Sequence, residues 1–271
     1  MRDITQPEST PLLETHALSE ESAFRPEGLL GAVRKLRGLD VHPVPPVCIL
    51  EFDGDLTDAL VADRSVTPFE SWACFHTSMY DATVDGMRWG IVPRTIGGPY
   101  AVLVAEQLWA AGAKLIVGLS SAGRVSSALP LPSLVVATSA IRDEGTSLHY
   151  LPPSRAAECP SPVTSTLAEE LATTGWRVST GTVWTTDAPY RETLTQLRHW
   201  AEEGVLAVEM QAASLFAFGS ARHAEVALVA VVSNAVDHSE DTFDTGTPSD
   251  GRRIAEAIVR AAYRYLQSAS D

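Results

Sequence analysis

From residue 47 onward, short runs of Val, Ile and Leu alternate with longer stretches in which apolar residues return every three or four positions. The first rhythm is that of buried strands, the second that of amphipathic helices. VCILEF (47–52), WGIVP (89–93), KLIVGL (114–119), SLVVATSAI (133–141), WRVSTGTVWTT (176–186), VLAVEM (205–210) and EVALVAVVS (225–233) predict strands. PYAVLVAEQLWAAG (99–112) predicts a helix with Pro in its first turn and Gly112 as its stop. TSTLAEELATTG (164–175), PYRETLTQLRHWAEEG (189–204), QAASLFAFGSARH (211–223) and a segment from about 250 to 268 predict four more. Strands alternating with helices imply an α/β single domain, a central mixed β-sheet flanked by helices. Ahead of it, FRPEGLLGAVRKLRGL (24–39) has helical spacing at Leu29, Leu30, Val33 and Leu36 and runs into the Pro-rich VHPVPP. The expected organisation is a polar, flexible N-terminus (1–22), a helical extension with a Pro-rich linker (23–45) and the main domain (46–271).

Composition narrows what such a domain does. A formal charge of −14 over 271 residues is the wrong sign for a nucleic-acid or anionic-membrane binder, which gathers Lys and Arg against phosphates. Neither partner is expected, which leaves a small molecule or another protein chain. Cys48, Cys74 and Cys159 are odd in number and widely spaced, as in a reducing cytoplasm, and no cluster has metal-ligand spacing. No window approaches the ~18 apolar residues of a membrane span, so a cytoplasmic protein without metal is expected.

In open sheets of this kind, ligands gather where strand ends release loops. Four segments qualify: DGDLTD (53–58), RTIGGP (94–99), SSAGR (120–124), and TTDAPYRE (185–192) together with VEMQ (208–211). Gly97 and Gly98 bring backbone N–H groups to a helix start, which suits an anion or a ribose hydroxyl and equally suits plain turn chemistry. Ser120 and Ser121 offer paired hydroxyls for a ligand or for the following turn. EFDGDLTDAL (51–60) is read as an acidic turn, with Glu51, Asp53, Asp55 and Asp58 inside ten residues.

Four of these segments taken together resemble one family. IGGP (96–99), ATSAIRDEGTSLHYLPP (137–153), TTDAPYRET (185–193) and GVLAVEMQAASLFAF (204–218) stand in the order found in the nucleoside phosphorylase family, in its uridine phosphorylase-like branch. The resemblance spans about residues 45 to 235. It implies a mixed-sheet α/β domain, a homodimer or higher homo-oligomer, and cleavage of the N-glycosidic bond of a nucleoside, with no cofactor and phosphate as possible co-substrate.

It also implies site roles. Glu209, Met210 and Gln211 match the Glu-Met-Glu that holds the ribose, with Gln211 in place of a carboxylate, and Ser121 joins this group. Pro189 stands where an aromatic stacks on the base, so Trp184 or Tyr190 is expected to replace it, with Arg191 reaching a base carbonyl. Asn234 replaces the aspartic acid of the purine-cleaving branch, which favours a pyrimidine-like or atypical base. Of the two arginines expected to bind phosphate, one position is taken by Asp58 and the other by Gly118. Arg94 and Arg124, with Gly97 and Gly98, are the remaining phosphate or anion candidates. Related nucleosidases that use water place a carboxylate at the same turn, so Asp58, with Asp55 in reserve, is the expected general base. Phosphorolysis, hydrolysis and a repurposed fold with changed activity all stay open, the last because Gln211, Pro189, Asp58 and Gly118 depart from the pattern together.

Overall fold

The computed structural model describes residues 11–13, 17–236 and 247–269. Strand β1 (Val47–Glu51) shows why these runs form a buried sheet. Val47 and Ile49 enter one apolar cluster, Cys48 and Leu50 the other, so both faces of the strand are covered. β5 (Leu115–Arg124) and β10 (Val226–Ala235) repeat the alternation, with Leu115, Val117, Ala227 and Val229 on the first face and Ile116, Val226 and Leu228 on the second. The first face is closed by helices α2 (Asp55–Ala62), α4 (Val163–Ala172) and α7 (Pro248–Ser268). The second is closed by α3 (Gly98–Ala110) and α6 (Ala212–Arg222). Helix α1 (Pro26–Arg37) seats Leu30 and Val33 against Ala73, and α5 (Leu194–Glu202) packs Leu197 and Trp200 against the cluster of Ile141, Trp184, Val205 and Val208.

The strands are β2 (Thr67–Pro68), β3 (Tyr80–Val84), β4 (Met87–Pro93), β6 (Ser133–Asp143), β7 (Ala156–Glu158), β8 (Val178–Thr186) and β9 (Ala207–Glu209), besides β1, β5 and β10. They form a single mixed sheet in the order β10-β6-β8-β9-β5-β1-β4-β3-β2, with β7 on β6. Because β10 also pairs with β5, the strands β5, β10, β6, β8 and β9 close a ring, and β1 to β4 extend from it as a wing. The C-terminal ends of β1, β5, β8, β9 and β10 converge, and the candidate loops leave from there.

The expected α/β fold is therefore found. Three places differ in detail. The acidic turn is only three residues long, Phe52 to Gly54, before α2 begins at Asp55. The helix expected over 189–204 starts as a 3-10 turn at Pro189–Arg191 and becomes α-helical at Leu194. Strands β2 and β7, of two and three residues, are too short to carry a period, and β3, which alternates Tyr, Ala and Val with Asp and Thr, was not among the expected strands. The expected flexible segment 1–22 lies largely outside the described residues. Among the described residues, no helix is long and apolar enough to cross a membrane.

Candidate active site

A cleft of about 1100 Å³ opens at the converging strand ends. Its lining includes Asp53, Asp55 and Arg94, then Ser121, Met210 and Gln211, and also Pro189, Tyr190, Glu192 and Asn234.

The carboxylates of EFDGDLTDAL separate into distinct jobs. Glu51 is buried, and its oxygens accept the backbone N–H groups of Gly54 (3.0 Å), Leu56 (2.8 Å) and Thr57 (3.0 Å) and the Thr57 hydroxyl. Those amides are donors that the first turn of α2 would leave unpaired, so Glu51 starts the helix from the strand before it. Burial raises the Glu51 carboxyl above its usual range, with the hydrogen bonds opposing. Asp53 accepts from the Ser121 N–H (3.2 Å) and hydroxyl (3.1 Å), tying the turn to β5. Asp58 pairs with Arg94 at 2.5 Å, and its side chain is 61% exposed. The Arg94 side chain crosses over Gly54, where a Cβ would meet it at 2.8 Å and φ is +104°, so only glycine fits. The Asp58 hydrogen bond and charge push the Arg94 guanidinium further up. Asp55 faces the cleft from the first position of α2, and its carboxylate accepts no hydrogen bond among the described residues.

The expected base Asp58 is thus Arg94's partner and lies off the cleft wall, whereas Asp55 is on it. The anion candidates part in the same way. Arg94 reaches the cleft, but with its charge matched by Asp58. Gly98 is a packing position, since a Cβ there would collide with Ser214 of α6, and Gly97 (φ +90°) is the turn residue before α3. Neither glycine lines the cleft, nor does Arg124, which ends β5 in register with Ala207 of β9. At Gly118 the Phe52 ring stands 3.0 Å from where a Cβ would be, which leaves no room for a cation.

The sugar candidates gather on one wall. Gln211 is buried, and its side-chain oxygen accepts from the Met210 N–H (3.1 Å) and the Ser120 hydroxyl (3.3 Å). Glu209 repeats the Glu51 device: it accepts from the N–H groups of Gln211 (2.6 Å) and Ala212 (2.9 Å) and from the Thr185 hydroxyl (2.5 Å) at the start of α6. Burial pushes Glu209 up to about 7, its hydrogen bonds oppose, and nearby Glu144 adds to the rise. Glu209 borders the cleft, with its oxygens occupied by its own helix end.

Among the base candidates, Tyr190 and Asn234 line the cleft, Tyr190 fully exposed. Trp184 does not; it is fully buried, packs on Trp200 at 6.0 Å between ring centroids and donates its indole N–H to Asp143 at 3.0 Å. Its place is the core, as alternation along a strand covered on both faces requires. Arg191 is exposed and outside the lining. Glu192, which closes the TTDAPYRE segment and was given no role from the sequence, lines the cleft, and burial pushes it up to about 7. Its loop brings it there from a distant part of the chain, which local spacing does not reveal.

Across the described lining residues the cleft carries the carboxyls of Glu51, Asp53, Asp55, Glu192, Glu209 and Asp250 against the single guanidinium of Arg94. No group of three or more metal-ligating side chains is present among the described residues. Residues 34–265 match the phosphorylase superfamily. Over 191 residues the chain is 30% identical to a uridine phosphorylase of Treponema pallidum, covering 66% of this chain and 74% of that protein. It is 28% identical over 137 residues to a guanosine phosphorylase of Halorubrum lacusprofundi, covering 51% and 57%. It is 23% identical over 226 residues to a uridine phosphorylase of Salmonella typhimurium, covering 78% and 86%. With the mixed-sheet fold and the Val-Glu-Met strand end in place, the chain belongs to the phosphorylase superfamily, as a divergent member of its nucleoside phosphorylase family.

Proposed function

We propose that this enzyme cleaves the N-glycosidic bond of a nucleoside with water as the nucleophile and Asp55 as the general base. The observation that carries this reading is the balance of charge at the β1–α2 turn: Asp53 and Asp55 line the cleft there, and the charge of Arg94 is already matched by Asp58. A phosphate dianion brought within about 4 Å of one carboxylate is opposed by about 4 kcal/mol per unit of charge at an effective dielectric near 20. Water meets no such barrier and gains from a base beside it.

In this reading Ser121, Met210 and Gln211 hold the sugar, and the positive charge that grows on it as the bond breaks is welcomed by the acidic lining. Gln211 gives up the charge that a glutamate would add and keeps the hydrogen bonding. Asn234, an amide on the base side, suits a pyrimidine-like or atypical base recognised by hydrogen bonds.

Asp55→Asn and Asp58→Asn separate the two carboxylates. Asp55→Asn is expected to lose about 10²- to 10⁴-fold in turnover with its thermal midpoint intact. Asp58→Asn is expected to keep most of its hydrolysis while freeing Arg94, so that phosphate binds more tightly and competes. Near-full activity in Asp55→Asn would remove it from the mechanism.

A further inference from the structure

Cleaving the bond with water poses two proton tasks: one group takes a proton from water, and another gives one to the departing base. The cleft offers six carboxyls, and their partners sort them. Glu51 and Glu209 are held by helix-start amides. Asp53 is held by Ser121, and Asp250 by Thr247 and Arg253. Asp55 and Glu192 remain, each without a hydrogen-bond or ion-pair partner for its side chain among the described residues.

These two stand on different elements in opposite surroundings. Asp55 opens α2 beside Arg94, whose guanidinium feels its charge. Glu192 stands between η-turn and helix: its N–H donates to Pro189 (3.3 Å), and the next residue, Thr193, caps α5 reciprocally with Gln196. Residue 192 is therefore fixed from both sides, with Pro189 and Tyr190 beside it on the wall. Asn234 on β10, also part of the lining, is an amide and has no acidic proton to give to a leaving base.

We propose that Glu192 is the general acid, donating its proton to the base nitrogen as the glycosidic bond breaks. This deepens the N-glycosidic reading and rests on it. The water oxygen bonds to C1′ while the C1′–N bond breaks; the water proton passes to Asp55, the bond pair stays on the base nitrogen, and that nitrogen takes the Glu192 proton. Nothing is oxidised or reduced, and exchange with solvent returns both carboxyls to their starting states. Desolvation pushes Glu192 up to about 7, so it is still protonated over the range in which an ordinary glutamate is not. The charged groups facing the same cleft are Asp53 and Asp55 from the β1–α2 turn, Arg94 after β4, Glu51 at the end of β1, Glu209 on β9 and Asp250 on α7, with Arg191 next in sequence. Asp55 and Glu192 are thus a pair whose environments suit them to opposite tasks.

The test compares wild type and Glu192→Gln on uridine and inosine, which need a protonated leaving group, and on p-nitrophenyl riboside, which does not. With the nucleosides, wild-type kcat/KM should fall above about pH 7, and the variant should lose about 10²- to 10³-fold together with that alkaline limb. With the p-nitrophenyl substrate the variant should stay close to wild type. Equal losses on both kinds of substrate, or an alkaline limb that survives the substitution, would overturn the assignment. Wild type that releases neither base nor p-nitrophenolate would instead sink the N-glycosidic reading itself.

Discussion

Glu51 and Glu209 hold equivalent places: each ends a strand, and each turns its oxygens back onto the first amides of the next helix. Both carboxyls are raised by burial, Glu209 from 4.5 to about 7. Between those values the folded chain holds more protons than the unfolded one, so stability falls as pH rises. The contribution of Glu209 is fully present below pH 4.5 and is lost as pH passes about 7, at most about 3 kcal/mol for a shift of that size. The thermal midpoint of wild type should therefore decline across this window, and Glu209→Gln should flatten the decline whatever its own stability. An unchanged slope would contradict it. Sequence placed Glu209 at the site but did not show that its oxygens hold the start of α6, because the Thr185 hydroxyl that also bonds it comes from another strand. The pairing of Asp58 with Arg94 was hidden for the same reason, since the two lie 36 residues apart.

At the scale of elements, the ends of β1 and β5 decide what the cleft can bind. Phe52, just past β1, fills the space over Gly118 in β5, with Leu228 of β10 at 3.2 Å from the position a Cβ would take. Gly118→Ala should lose about 1–3 kcal/mol by overpacking, read as a lower denaturant midpoint, and an arginine would not recreate a phosphate site there. A neutral result would mean that the three strands can part. The strands were legible because alternation on a doubly covered sheet leaves long apolar runs, as in VCILE and LIVGL. Helix α2 was not, since it is eight residues long and takes its cap from Glu51 in the preceding strand. The start of α5 was marked by Thr193 and Gln196, a capping pair that the helical pattern reaching back to Pro189 obscured.

For the whole molecule, the sequence carries a charge of −14, and the cleft is lined by six carboxyls and one guanidinium among the described residues. The family fold supplies the cleft, and in the proposed reading its acidic residues favour water over phosphate as the nucleophile. Sequence showed the missing arginines; the structure adds that Arg94, the cation left in that cleft, already has its counter-ion. The most direct measurement is base release from a panel of pyrimidine and purine nucleosides with and without phosphate, with the sugar product identified by mass. Free sugar at equal rates in both buffers is the expected result. Sugar 1-phosphate formed only when phosphate is present would contradict water as the nucleophile.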